Sequence, residues 1–401
     1  MHGKVRCVKI KIRKLEKLQS LANEMVATGF VAGVSCMVLH QGKEVCYYQA
    51  GLRDMESNLP MTRDTICRMY SMSKPVTSAA VMLLLEEGKI DLLANVADYL
   101  PGFSNPHTIQ GGVPVPSKKP VTIKDLLHMT SGVAYPGESN PAEVRVAKLM
   151  DDVIARMDTE EAYTTYEFMN ALGKLPLAFE PGTIWQYGFS ADVLGAVVEV
   201  VSGMGFGEFL KKRIFEPLGM EDTGFYVPEE KQSRLAKLYR GYPDGLREDT
   251  YPNLGISNRM QYAPAFESGG AGLASTIDDY ARFATMLLQK GSFQGQQILS
   301  PETVKFMTTA HVNEVQQKGV DTWESLAGYS YGNLLRIMTR PDQAAGICSP
   351  GEYGWDGWLG TYVMNDPAHE LTFIMMQQKA DTGTTEYSRR MRNVVFSALE
   401  H

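Results

Sequence analysis

Two residues in the first quarter of the chain have the types and spacing of an acyl-transfer pair, Ser71 and Lys74, in Arg68-Met69-Tyr70-Ser71-Met72-Ser73-Lys74-Pro75. A serine hydroxyl is a weak nucleophile until a neighbouring base takes its proton, and a lysine can be that base when burial disfavours its charged form. A separation of three places both side chains on one helix face. The segment runs straight into residues 76–85, which are apolar on nearly every side, the pattern of a helix buried inside a domain. Pro75 is tolerated only in the first turn of such a helix, where its missing N–H is not needed. Ser71 is therefore expected at a buried helix start, where free backbone N–H groups and the positive end of the dipole favour the negative charge of acyl transfer. The competing structural reading is a capping serine beside a solvated lysine. Ser-x-x-Lys is a weak signal alone, and the buried helix behind it gives it weight.

A second serine has its own motif, because Gly328-Tyr329-Ser330-Tyr331-Gly332 matches the Gly-x-Ser-x-Gly elbow of another hydrolase class. That elbow needs a strand before it and a helix after it. Here the match opens a strand-like run, so Ser330 is not expected to be the nucleophile.

The elements that would position Ser71 can be read from periodicity. Residues 12–28 have helical spacing, and 34–39 and 45–50 are β-like runs joined by a turn at 40–43. Near the other end, 329–338, 359–365 and 371–377 read as strands, with a turn at 366–370, and 385–399 reads as a closing helix. Helices are expected between these ends at 76–87, 123–127, 166–172, 191–202, 206–214 and 276–289. Long polar stretches at 102–120, 135–143 and 228–264 are expected to form loops, some walling a cleft. Strands at both ends with helices between them predict an α+β fold, one sheet assembled from both termini with a mainly helical insertion.

Composition sets limits on function. The 401 residues can bury a large core, and the net charge of −7 leaves no cationic surface for a phosphate backbone, so nucleic acid is not an expected partner. The basic cluster Lys211-Lys212-Arg213 falls in a helical pattern and is expected to be a solvated face. Cys7, Cys36, Cys46, Cys67 and Cys348 are odd in number without C-x-x-C spacing, so neither a disulfide framework nor a zinc site is expected. The seven histidines show no metal-ligand spacing, and neither a metal nor a cofactor is expected. His128 is expected to satisfy local hydrogen bonds rather than serve a triad. No apolar region follows the basic residues from Lys4 and Arg6 to Lys14, and no apolar run approaches the ~20 residues of a membrane span. The expectation is a cytoplasmic protein with no membrane partner.

Over nearly its whole length the chain resembles the serine β-lactamase, penicillin-binding protein and class C β-lactamase-like esterase superfamily. Ser71 and Lys74 match its first motif, Ser-x-x-Lys. The second, Tyr-x-Asn, is matched in Pro181-Gly182-Thr183-Ile184-Trp185-Gln186-Tyr187-Gly188-Phe189-Ser190, with Tyr187 as the proton-moving tyrosine and Phe189 replacing the asparagine. The third, Lys-Thr-Gly or His-x-Gly, is best matched by Trp355-Asp356-Gly357, followed by Trp358. Residues 126–132, 214–220 and 269–276 resemble the family's framework.

The resemblance implies a β-lactamase-like fold in one domain, with an α/β part (1–75 plus 315–401) and a mainly helical part (76–314). It implies Ser71, Lys74 and Tyr187 as catalytic residues and the backbone N–H groups of Ser71 and Trp358 as the oxyanion hole. Phe189, Trp355, Asp356, Gly357 and Trp358 are the expected substrate contacts. Loss of the asparagine amide and of the motif's cation points toward short-chain esters. The alternatives are a β-lactamase or D-amino-acid peptidase, an acyltransferase, or a penicillin-binding sensor that is acylated without turnover. The oligomeric state is open.

Overall fold

Residues near opposite ends of the chain pair at the middle of one sheet. The computed structural model describes residues 9–400. Its main sheet contains β1 (Gly33–His40), β2 (Lys43–Asp54), β3 (Leu59–Pro60), β4 (Tyr329–Gly332), β5 (Leu335–Met338), β6 (Tyr353–Asp356), β7 (Tyr362–Asp366) and β8 (Leu371–Gln377). The strand order is β4-β5-β6-β7-β8-β1-β2-β3, antiparallel throughout. The β8–β1 register runs from Leu371↔His40 to Gln377↔Val34.

Alternation along the strands divides the core. Val34, Cys36 and Val38 of β1 and Leu371, Phe373 and Met375 of β8 pack with the terminal helices Lys17–Ala27 and Glu386–Ser397. Met37, Leu39, Ile374 and Met376 belong to the larger core that contains the helix Ser73–Glu86. A slip of one residue would exchange the two faces, so burial on both sides fixes the register. The turn between β1 and β2 has Gln41 at φ 54 and Gly42 at φ 71, the left-handed pair that suits a two-residue hairpin. This is the expected α+β arrangement.

Several boundaries differ from the sequence reading. The run 329–338 is the hairpin β4–β5, turned at Asn333-Leu334 with Leu334 at φ 64, because Gly332 and Asn333 supply turn chemistry inside an apolar run. The strand expected from 359 begins at Tyr362, since residues 357–361 form a turn closed by Gly357 N–H to Thr361 C=O at 2.8 Å. The expected loop 135–143 ends in an unpredicted helix, Pro141–Arg156, whose start is capped by the Asn140 side chain. Asn-Pro there is a cap and first-turn proline rather than a turn. The stretches 102–120 and 228–264 each contain a short hairpin.

Lys212 and Arg213 pair with Glu208 and Glu87 on the surface. Cys36, Cys46 and Cys67 are buried free thiols and Cys348 is half-buried, while Cys7, Lys4 and Arg6 lie outside the described residues. Among the described residues no single helix is long and apolar enough to cross a membrane. Nor does any group of three or more His, Cys, Asp or Glu side chains have the arrangement to hold a metal ion. Ser330 lies in β4 opposite Ile337, within a hairpin followed by a single 3₁₀ turn, Pro341–Gln343, and not by the α-helix an elbow needs.

His128 follows the helix Ile123–Leu127 and is 4% exposed, its ring stacked on His311 with centroids 4.9 Å apart. Burial, aided by His311 and Lys124, pushes its imidazole down to about 3 against a hydrogen bond with Asn333. The unfolded chain takes this proton near 6.5 and the folded chain only near 3, so the unfolded state binds more protons between them and stability is lost as the pH is lowered. Between pH 6.5 and pH 5 the loss is about 2 kcal/mol, at about 1.36 kcal/mol per unit. Urea unfolding of the wild type and His128→Gln across this range should show the variant's stability falling less steeply by about that amount; parallel curves would refute it.

Candidate active site

Ser71 sits in a 3₁₀ turn, Tyr70–Met72, that feeds directly into the helix Ser73–Glu86, whose residues from Ser73 to Leu84 are all buried. The turn is held in place from several directions. Arg68 pairs with Ala274, the Gln378 side chain bonds both Arg68 N–H (2.9 Å) and Arg68 C=O (3.0 Å), and Met69 N–H reaches Leu273 C=O at 2.8 Å. Tyr70 adopts φ 45, and its hydroxyl donates to Asn258 Oδ1 at 2.7 Å. A left-handed tyrosine is a strained residue retained only where its surroundings fix it. The result is a partly exposed Ser71 on a buried, immobile base.

Lys74 is 0% exposed. Its Nζ contacts Ser71 Oγ at 3.2 Å, Tyr135 Oη at 3.1 Å and Gly270 C=O at 2.9 Å, and lies 4.4 Å from the centre of the Tyr187 ring. Burial pushes the ammonium down to about 7, opposed by the charges of Asp192 and Asp356. Gly270 C=O can only accept, whereas the two hydroxyls can donate or accept. A neutral Lys74 can therefore donate to Gly270 and receive the Ser71 proton without moving.

Tyr187 is half-buried and hydrogen-bonded to Ser71, and burial holds its phenol well above the usual range. Its oxygen accepts from Trp355 Nε1 at 3.0 Å. Indole N–H is a donor only, so Trp355 occupies one lone pair of the Tyr187 oxygen and leaves the phenol proton free to point elsewhere. Trp355 is 2% exposed and stacked on Tyr187, with centroids 5.6 Å apart. The apolar surface it was expected to offer a substrate is thus packed on Tyr187 instead.

Phe189 needs a similar correction, since it is 0% exposed, with its ring edge-on to Tyr135 and Phe168. It supports Tyr135 from beneath and makes no contact with the cleft. Asp356 turns its carboxylate to Arg336 at 3.2 Å. Gly357 is required by a close approach, because a Cβ there would lie 2.3 Å from Met69 O and 2.2 Å from Thr361 Oγ1. That approach carries the following residue, Trp358, past the last ladder pair Asp356↔Tyr362 and alongside the Ser71 turn. The Trp358 ring lies 4.9 Å from that of Tyr70, and its Nε1 donates to Asp381 at 2.7 Å.

Sequence reasoning missed Tyr135, Asp192 and Trp323. Tyr135 opens a stretch expected only to wall a cleft, yet its hydroxyl meets Lys74. Trp323, 38% exposed, packs on Tyr187 with centroids 5.1 Å apart. Neither falls in a local motif. A separate cavity of about 370 Å³ at Val153, Tyr163, Arg259 and Phe266 contains none of the Ser71 group.

Comparison with known proteins agrees with this geometry. Residues 18–395 match the Beta-lactamase family. Protein Rv1367c of Mycobacterium tuberculosis is 32% identical over 91% of this chain and 90% of its own length. Esterase EstB of Burkholderia gladioli is 30% identical, covering 92% of this chain and 91% of its own. The structure of EstCE1, a hydrolase with promiscuous acyltransferase activity, superposes with a TM-score of 0.81 at 26% identity, covering 96% of this chain and 99% of that one. With a match from residue 18 to 395 and relatives aligned almost end to end, this chain belongs to the β-lactamase family.

Proposed function

We propose that the protein is a serine carboxylesterase that forms an acyl-enzyme on Ser71 and takes small, uncharged esters as substrates. The observation that carries this reading is Lys74, fully buried, with Nζ 3.2 Å from Ser71 Oγ. Neutral Lys74 accepts the Ser71 proton as Oγ attacks the ester carbonyl, and the proton passes to the leaving alkoxide with Tyr187 on its path. The backbone N–H groups of Ser71 and Trp358 receive the oxyanion, drawn together by the approach at Gly357. Water then releases the acid by the reverse steps.

The preference for uncharged esters rests on what the site lacks. Phe189 offers no amide, and the cation nearest the third motif, Arg336, is already paired with Asp356. A substrate amide or carboxylate would stay unpaired, at a cost of about 1–3 kcal/mol each, more if charged. Similarity to the esterase EstB and the hydrolase EstCE1 supports hydrolysis, and the promiscuous acyltransferase activity of EstCE1 also supports a second reading, in which an alcohol replaces water as acyl acceptor. We read the chain as one domain, its 1–75 and 315–401 part meeting the mainly helical 76–314 part at the cleft. Unpaired thiols at Cys36 and Cys46 on neighbouring strands support a reducing, cytoplasmic location.

Ser71→Ala should lower kcat/KM for p-nitrophenyl butyrate more than about a thousandfold with an unchanged melting temperature, while Ser330→Ala keeps most activity. More than a tenth of wild-type activity in Ser71→Ala would sink the proposal. On one preparation, p-nitrophenyl butyrate should exceed nitrocefin in kcat/KM by about a hundredfold, from two unpaired groups at about 1.36 kcal/mol per decade; an equal or higher value for nitrocefin would promote the β-lactamase alternative. Because Lys74 must be neutral to accept a proton, kcat/KM should rise with pH through a midpoint of about 7. Trp355→Phe should lower kcat about tenfold with little change in KM, as expected for a lost hydrogen bond to a proton-transfer group; an unchanged kcat would show that Trp355 does not aim Tyr187.

A further inference from the structure

Lys74 shares the floor of the site with a buried carboxylate, Asp192, in the helix Ser190–Ser202 and 1% exposed. Asp192 Oδ1 accepts from Ser268 Oγ and from Gly270 N–H at 3.1 Å, and its Oδ2 is buried with no hydrogen-bond partner. A buried, half-satisfied carboxylate is costly, and an apolar residue would have been cheaper for packing alone. Gly270, whose N–H Asp192 grips, presents its C=O to Lys74 Nζ at 2.9 Å, and the peptide group carrying that C=O is tied to Asp192 through Ala271 N–H donating to Ser268 Oγ at 3.0 Å. Only glycine allows this grip, since a Cβ on Gly270 would lie 2.4 Å from Asp192 Oδ2. The peptide group whose N–H Asp192 grips is held at its other end as well, by Thr77 Oγ1 donating to Gly269 C=O at 2.6 Å.

We propose that Asp192 is a positioning residue for Lys74, fixing Gly270 directly and through Ser268, so that the Gly270 carbonyl holds the lysine nitrogen against Ser71, and lending the negative charge that favours the transiently protonated lysine. The inference rests on the acyl-enzyme reading above. In that reaction the Ser71 proton moves to Nζ as the Oγ–carbonyl bond forms, and leaves Nζ for the departing alkoxide as the ester C–O bond breaks. Between these events a full ammonium stands where solvent cannot reach it, and a nearby fixed anion offsets its desolvation.

The other titratable groups around Lys74 do not supply that anion. Tyr135, Tyr187 and, behind them, Tyr331 are phenols held neutral by burial. Asp356 acts on Lys74 from the opposite side but is paired with Arg336. Burial pushes the Asp192 carboxyl up, and the Lys74 charge is the largest influence opposing that rise. The two groups thus depend on each other for their ionised forms.

Asp192→Asn keeps an acceptor for Ser268 and Gly270 and removes the charge. In kcat/KM for p-nitrophenyl butyrate against pH, the acid-limb midpoint should move down by about one unit, a tenfold loss of proton affinity at Lys74. At pH 7.5, kcat should fall about tenfold with KM within about threefold, since the interaction is made during proton transfer. Asp192→Ala, which also frees the Gly270 peptide, should cost about a hundredfold in kcat. Should the asparagine variant not fold, Asp192→Ser carries the same pH measurement, because it too is neutral and can still bond Ser268 or Gly270. A purely structural Asp192 would alter the melting temperature and leave the acid limb in place, and that result in a folded variant overturns the inference. An active Ser71→Ala protein would overturn the acyl-enzyme reading beneath it. An inactive Ser71→Ala beside an unmoved acid limb in Asp192→Asn would overturn this inference alone.

Discussion

Everything at the centre of this molecule depends on keeping one ammonium group away from water. Lys74 points from a helix buried along most of its length into a pocket of phenols and peptide groups, and no counter-ion touches it. A lysine in water holds its proton far too tightly to be a base at neutral pH, and only desolvation weakens that hold enough. The surrounding structure serves that condition. The Tyr187 ring covers Nζ, Phe189 props Tyr135 against it, and Trp355 locks Tyr187 from the far side. The aromatic character of the site therefore follows from the electrostatics of its lysine as much as from any substrate.

This also explains which parts of the site were legible in the sequence. Ser71 and Lys74 are neighbours on one turn, and Tyr187 sits in a local signature, so spacing alone exposed them. Tyr135, Asp192 and Trp323 reach the site from separate segments, and only the tertiary packing shows that they converge. Phe189 and Trp355 were found but misjudged. Sequence position told which residues replaced the expected amide and cation, but not that their rings turn inward to support Tyr135 and Tyr187. A large aromatic beside a motif can face ligand or core, and periodicity does not separate the two outside regular elements.

The fold was legible to a similar depth. Short apolar runs at 34–39 and 371–377, bounded by turn residues, exposed β1 and β8, and apolar continuity exposed the buried helix. Failures came where one punctuating residue had two meanings. Asn140-Pro141 reads as a turn and acts as a helix start, and Gly332-Asn333 hides a reversal inside an apolar run. Such dipeptides are settled by which backbone groups remain to be bonded nearby, which is a property of the assembled structure.

The pairing of β8 with β1 has a consequence for how the protein is made. Val34 lies opposite Gln377, and Gln378 clasps both backbone groups of Arg68 beside the nucleophile turn. A ribosome making the chain from its N-terminal side must emit residues 41–370 after β1 before the strand that completes the middle of the sheet emerges. Until then β1 is an unpaired apolar edge, and the turn carrying Ser71 lacks one of its clamps. Contacts this distant in sequence fold slowly, and an exposed edge of this kind invites association in the meantime. The nascent protein must therefore pass the synthesis of residues 41–370 without a finished active site, and its yield in a cell depends on shielding β1 during that interval.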